Sequence, residues 1–361
     1  MTKLVFASAM IASCTLSSPL LAHDVRADDH APIGVMADHA HKKGEAMLSV
    51  RHMHMEMAGN QIGTDSVSPD EIVTTVPNRF FGMPGQPPTL RIVPTAMRID
   101  MTMIGAMYAP TDWVTLVAMG SYIQKEMDHT TYMGGMGTNV RGQFQTSPEG
   151  FGDITVGGIF PLLGHAPKMA ESARELNVRA AVSLPTGSNS ETAEILTPMG
   201  ETPTARAPYM MQMGSGTWDL KPAVTYKGWA GKFGYGAQYA GTIRLGTNDQ
   251  GYSFGDVHEA TAWLSYRAAQ WISLSGRVKA RTTGRVQGMD PVIMGPVQTA
   301  NPDFQGGERV DLIAGINTVV THGALAGHRF GLEVGAPVYQ DLNGPQMAGD
   351  WMLTVGWQKA F

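Results

Sequence analysis

The last eleven residues, Trp351 to Phe361, alternate between two faces, and there the sequence stops. Trp351, Leu353, Val355, Trp357 and Phe361 fall on one side of an extended strand, and Met352, Thr354, Gly356, Gln358 and Ala360 on the other. A terminal strand leaves one edge of backbone N–H and C=O groups unpaired unless another strand closes it. The apolar side is too greasy to face water. The sequence therefore asks for a sheet that closes on itself in apolar surroundings.

That combination resembles the closing strand and terminal-Phe signal read by the assembly machinery of bacterial outer-membrane barrels. Lys359 departs from the pattern, because it stands where such signals carry an apolar residue. The N-terminus agrees: Lys3, an apolar run from Leu4 to Ile11 and small residues toward Ala22 read as a secretory signal. Cleavage after Ala22 or after Ala27 fits equally. The only cysteine, Cys14, lies within this segment, so the mature chain carries no thiol into an oxidising compartment. Ile11-Ala12-Ser13-Cys14 also resembles a lipoprotein cleavage box.

Composition narrows the class further. With 43 glycines, 43% apolar residues and a mean hydropathy of -0.10, the chain has no apolar stretch long enough for a transmembrane helix after the signal. A barrel crosses a bilayer differently: it pairs every backbone group between strands, and its polar lumen dilutes the hydropathy. A formal charge of -5 argues against a nucleic-acid surface.

Twelve candidate strands follow, over about 45–57, 95–109, 112–126, 151–162, 173–185, 217–229, 232–246, 257–268, 271–286, 309–322, 328–341 and 350–361. Short links alternate with long ones rich in Gly, Pro, Ser, Thr and Asn. An up-and-down antiparallel barrel of about twelve strands has this pattern, with short periplasmic turns, long extracellular loops and both termini in the periplasm. The predicted organisation is a signal over 1–22, a periplasmic His-rich segment over 23–44 and the barrel over 45–361. Alternation is clearest over 271–286, where Ile272, Leu274, Val278 and Ala280 oppose Ser273, Ser275, Arg277, Lys279, Arg281, Thr283 and Arg285. A soluble β-sandwich alternates in the same way. Trp113, Trp218, Trp229, Trp271 and Trp351, all near strand ends, favour a membrane girdle instead.

Gly150-Phe151-Gly152-Asp153, Ser183-Leu184-Pro185-Thr186-Gly187 and Gly214-Ser215-Gly216-Thr217-Trp218-Asp219 occur in the order found in one family. The chain resembles the outer-membrane transporter-like family labelled by the MetA pathway of phenol degradation. The stretches His30-Ala31-Pro32-Ile33-Gly34, Met53-His54-Met55 and Arg79-Phe80-Phe81-Gly82-Met83-Pro84 resemble a Met- and His-rich branch of it. The resemblance implies a barrel that transports a solute. Read as chemistry, the Gly and Asp residues of these motifs are turn and strand-start residues, so Asp153, Asp219 and Asp256 are expected to fix rims. No nucleophile elbow, zinc-protease motif, phosphate loop or dinucleotide fingerprint is present, which leaves an enzyme of the barrel rim as a remote alternative.

The chain holds 25 methionines. On a strand, Met53, Met55 and Met57 share one face, the lumen side if Leu48 and Val50 face lipid, and His52, His54 and Glu56 share the other. Thioethers and imidazoles select copper, so Met53, Met55, Met57, His52, His54 and the tail residues His39 and His41 are candidate metal ligands. Methionine is also an adaptable apolar filler, and the row can be packing alone. No other cofactor is indicated.

The sequence thus predicts a non-enzymatic channel or uptake protein in contact with outer-membrane lipid, passing a small organic or aromatic molecule or a metal. Arg179, Arg244, Arg277, Lys279, Arg281 and Arg309 are predicted to line the pore with a positive field, opposed by Glu259, Asp311 and Glu333. The alternative is a copper-handling barrel that uses the Met and His clusters.

Overall fold

The computed structural model describes residues 26–164 and 173–361, so the expected signal over 1–22, the cleavage site after Ala22 and Cys14 lie outside the described residues, whereas the alternative site after Ala27 lies within them. Among the described residues the wall consists of β1 (Ala46–Gly63), β2 (Ile92–Thr111), β3 (Val114–Tyr132), β4 (Ile154–Leu163), β5 (Arg174–Leu184), β6 (Ala223–Ala230), β7 (Phe233–Leu245), β8 (Val257–Ala269), β9 (Ile272–Thr283), β10 (Gly307–Val319) and β11 (His328–Ala360). Each strand pairs antiparallel with its neighbours in sequence, and β1 pairs with β11, so one sheet closes into a barrel.

The 33-residue β11 is too long to be one crossing. Its first part pairs with β10 and its last part with β1. Trp357 Nε1 donates to His328 Nδ1 at 3.0 Å, so the two ends of the element lie side by side. The element is a hairpin bent near residues 342–346, and it brings the crossings to the predicted twelve. The barrel closes where Phe361 N donates to Ala46 O at 2.7 Å and Ala46 N to Phe361 O at 3.1 Å. Among the described residues, no helix is long and apolar enough to cross a membrane.

Side-chain alternation sets which face points in. On β9, Leu274 and Val278 are exposed on the outer wall while Ser273 and Arg277 are buried. On β1, Leu48 and Val50 face outward and Met47, Ser49 and Arg51 inward. Lys359, on the outer face, reaches the carbonyl of Ala326 in the turn before β11 and lies 5.9 Å from the Phe361 ring. A lysine is tolerated there because its stem covers apolar wall while its charge leaves it.

The two ends differ. Short turns at 110–113, 231–232, 270–271 and 320–327 mark one end, here the turn end. At the other, the loop end, long connections fold over the opening and bury Phe80, Tyr209, Tyr252, Val286, Ile293 and Val297 against one another. Beneath them Ala207 and Met211 of a loop pack on Met97, Met127 and Met347, with Met57 alongside.

Two expectations need correction. Residues 26–44, the described part of the segment over 23–44 that the sequence predicts to be periplasmic, lie inside the barrel at its turn end, because the lumen offers their backbone the hydrogen-bond partners described below. Trp229 is not part of an outer girdle: it is buried and donates from Nε1 to Asp28 O at 3.0 Å. Trp113, Trp218 and Trp271 are exposed at strand ends, as expected.

Deleting Phe361 removes the two hydrogen bonds that end the β1–β11 ladder and the terminal ring, whereas Lys359→Leu removes neither. The expected outcome is a strong loss of the heat-modifiable, fast-migrating folded form on gels for the deletion and near-normal folding for Lys359→Leu. Equal folding of the two variants would show that the seam does not depend on this residue.

Candidate functional site

Residues 26–45 enter the lumen at the turn end, rise to Gly34 and Val35, and descend again to the start of β1. The segment has no regular secondary structure, so its backbone groups must find partners on the wall. Arg51 Nε donates to Ile33 O at 3.0 Å, Gln238 Nε2 to Met36 O at 3.0 Å, Asn317 Nδ2 to Ala31 O at 3.2 Å and Ser273 Oγ to Ala27 O at 3.3 Å. Ala27 N donates to Gln270 O at 2.9 Å, and His41 N to Thr115 Oγ1 at 2.8 Å. Inward polar residues of strands distributed around the barrel thus hold the segment as a plug.

Ion pairs anchor it as well. Lys227 Nζ lies 3.2 Å from Asp38 and 3.2 Å from Glu175, and all three are buried. Arg329 bonds Asp29 at 2.9 Å. Asp38 is held well below the usual carboxylate range: burial pushes it up, but His39 and Lys227 beside it outweigh that. Burial holds His30 well below the usual imidazole range, helped by Arg329, and lowers His39 in the same direction against the pull of Asp38.

Above the plug, the nine predicted pore residues all project inward from β5, β7, β8, β9, β10 and β11, the face that the strand period requires. Most of their charge is paired. Arg277 grips Glu333 with two hydrogen bonds of 2.9 Å, and Glu333 also accepts Gly34 N at 2.7 Å. Lys279 and Arg309 lie 3.2 and 3.0 Å from the fully buried Asp311. Arg244 pairs with Asp219. Arg281 donates to Thr283 Oγ1 at 3.3 Å, and Arg179 to Lys221 O at 3.4 Å. With Asp219 counted beside the nine, six cations face four carboxylates, so these residues keep a positive excess of two.

The predicted metal ligands do not form one group. His52 and His54 sit on the outer wall, where His54 Nδ1 bonds Asp100 at 2.8 Å, His52 bonds Thr102 Oγ1 at 3.1 Å and His54 Nε2 lies 3.3 Å from Glu56. Met53, Met55 and Met57 face inward, as the alternation requires, and Met57 adjoins the methionine cluster below the loops. His39 and His41 are deep in the plug with His30, which was not among the predicted ligands. The signal for His30 was its spacing from His39 and His41 on one irregular segment, which only a folded plug turns into proximity.

The family-like motifs meet at the loop-end rim. Asp153 Oδ1 accepts Gly187 N at 2.8 Å, and its Oδ2 accepts Ser215 N at 2.8 Å and Ser215 Oγ at 2.9 Å. Asp219 accepts Thr217 Oγ1 at 2.7 Å, and Asp256 accepts Arg244 N at 2.8 Å. A Cβ on Gly187 would stand 2.8 Å from Gly214 Cα, so the two backbones can touch only as glycines. Segments more than 60 residues apart are tied into one knot there, which accounts for the order of the motifs without any catalytic chemistry.

No protein-family model matches the sequence, and no curated protein matches it. Among solved structures, an outer membrane channel from Pseudomonas putida F1 is similar over 91% of this chain and all of that one, with a TM-score of 0.56 and 13% identity. The toluene transporter TodX of P. putida aligns over 89% of this chain and 91% of its own at a TM-score of 0.40 and 9% identity. The transport unit of the autotransporter AIDA-I from Escherichia coli aligns over 93% and 95% at 0.45 and 10%. The fold is that of bacterial outer-membrane β-barrels. The turn end is accordingly periplasmic and the loop end extracellular.

Glu333→Gln would leave Arg277 buried without its counter-charge and weaken the hold on Gly34. Breaking one partner of such a pair costs about 3–5 kcal/mol. A cysteine placed at the buried Val35 (Val35→Cys) should then react with a thiol probe at least about a hundredfold faster than in the Glu333 background. An unchanged rate would mean that this ion pair does not seat the plug.

Proposed function

We propose that the protein is a channel of the outer membrane whose lumen is closed from the periplasmic side by its own N-terminal segment and opens when that segment leaves. The observation that carries this reading is how the plug is held. Its contacts with the wall are mainly side-chain hydrogen bonds and ion pairs, groups that water can take over when the segment moves out. A lumen needed only for stability could be filled by apolar side chains; here it carries paired charges with a positive excess.

The charged layer favours a small polar or anionic solute over a hydrocarbon. Taking an apolar molecule past Arg277, Lys279, Arg281 and Asp311 offers no partner to these ions, whereas an anion can exchange for Glu333 or Asp311 as it passes. The order of the glycine-rich motifs supports placing the chain in the transporter-like family named above. The likeness to a protein described as an outer membrane channel agrees with a passive route. The second reading, copper handling, is favoured by a separate observation, the grouping of histidines in the plug.

Planar-bilayer recording tests the channel directly. The full chain should conduct rarely, and a variant lacking residues 26–41 should conduct steadily with a preference for anions. Absence of conductance in the shortened but folded barrel would overturn the reading. In that background, replacing Arg277, Lys279 and Arg281 by Gln leaves Glu333 uncompensated and Asp311 with only Arg309, so the reversal potential in a salt gradient should move toward cation selectivity. Arg281→Gln alone should shift it in the same direction with less risk to folding. An unchanged potential in both variants would mean that ions do not pass this layer.

A further inference from the structure

The plug brings together three imidazoles that serve none of its wall contacts through their Nε2 atoms. The ring centroids of His30 and His39 are 4.1 Å apart, and those of His39 and His41 are 4.8 Å apart. Each ring turns its Nδ1 to an oxygen: His39 to Asp38 Oδ1 at 2.8 Å, His30 to Gln358 Oε1 at 3.1 Å and His41 to Glu45 Oε2 at 3.5 Å. An imidazole whose Nδ1 faces a carboxylate or an amide oxygen is oriented by it and turns Nε2 away, toward whatever that atom binds.

Two of those Nε2 atoms are buried without a partner. His39 is 9% exposed and His41 5%, and Nε2 of each lacks a hydrogen-bond partner among the described residues. A buried polar atom left without a partner loses its hydration and gains nothing in return. Two on neighbouring residues, in a segment otherwise well supplied with partners, point to a ligand that these atoms bind. Donor atoms of His30, Asp38 and His39 lie within 4.8 Å of one another. One ion about 2.0–2.1 Å from each donor spans about 4 Å between donors, so this group is close to the size of a metal site, and His41, whose ring centroid is 4.8 Å from that of His39, stands beside it.

We propose that the plug binds one late first-row transition-metal ion through Nε2 of His30, His39 and His41. Asp38 is then an outer-sphere group and not a ligand: its Oδ1 accepts a hydrogen bond from His39 Nδ1 at 2.8 Å, and its Oδ2 accepts Ala31 N at 2.9 Å and lies 3.2 Å from Lys227. Glu45 and Gln358 orient the other two rings. Carboxylate-backed imidazoles of this kind are the usual support of metal-bound histidine. Donors that are all nitrogen favour Cu(II) over Zn(II) by affinity order and leave hard cations such as Mg(II) unbound. The inward methionines are not required.

The ion would tie residue 30, on the rising arm of the plug, to residues 39 and 41 on its descending arm, and through Gln358 to β11. Binding to the docked form alone stabilises that form, so metal closes the channel. The closing effect rests on the channel reading above, whereas the site itself does not.

Titrating the purified, folded full-length barrel with Cu(II) and with Zn(II), read by isothermal calorimetry and, for copper, by electron paramagnetic resonance, tests the site. The expected result is one tight equivalent with nitrogen hyperfine structure, weakened at least tenfold in His39→Ala and in His41→Ala and retained in His52→Ala/His54→Ala. Folding of each variant is read from its gel mobility, and His30→Gln serves if an alanine variant does not fold. Undiminished binding in the folded plug variants, or loss only in the outer-wall pair, would overturn the site. Conductance measured with and without Cu(II) separates the two claims: a bound ion with unchanged gating refutes the closing effect, while a barrel that never conducts refutes the channel reading and leaves the binding result standing.

Discussion

Backbone hydrogen bonding in a medium without water is the constraint from which the rest of this structure follows. Every peptide group facing lipid must be paired within the protein, so the sheet cannot have an edge. The chain satisfies this by bringing Phe361 back to Ala46 and joining the last strand to the first. Closure then divides each strand by alternation into a lipid face and a lumen face, with no freedom to mix them. Polar and charged residues on the inner face are thereby committed to an interior that buries many of them.

That commitment explains the ion pairs. Asp311 and Glu333 are almost fully buried, and an isolated carboxylate at such a depth would be costly. Lys279 answers Asp311 from the neighbouring strand, where the register sets the two opposite each other, Arg309 answers it from the same strand, and Arg277 reaches Glu333 across the strand between them. The plug extends the same principle downward. Its irregular backbone is tolerated because it lies inside a polar lumen, where Gln238, Asn317, Arg51 and Glu333 supply partners that lipid could not. A polar fastening of this kind seals the lumen and still leaves water able to replace it.

The glycine-rich motifs show how a resemblance in sequence can record architecture. Gly152-Asp153, Gly187 and Gly214-Ser215 lie far apart along the chain, yet they form one contact of backbone on backbone clamped by the Asp153 carboxylate. Their spacing reflects the lengths of the loops that return to that rim. The chemistry of the lumen is carried by other residues, which stand on the strands and have no motif of their own.

The sequence by itself determined the barrel, the number of crossings, and which face of each strand points inward. These follow from a local period of two residues and from the absence of any apolar helix, and both can be counted along the chain. It also determined the inward direction of Arg277, Lys279 and Met53 and the outward direction of His52. The tertiary structure alone decided the place of residues 26–45, the inward turn of Trp229, the pairing of the lumen charges, and the meeting of His30 with His39 and His41. The plug has no period to read, because its conformation is set by partners on strands scattered through the whole sequence. An irregular segment takes its shape from what surrounds it, and only the closed barrel defines those surroundings.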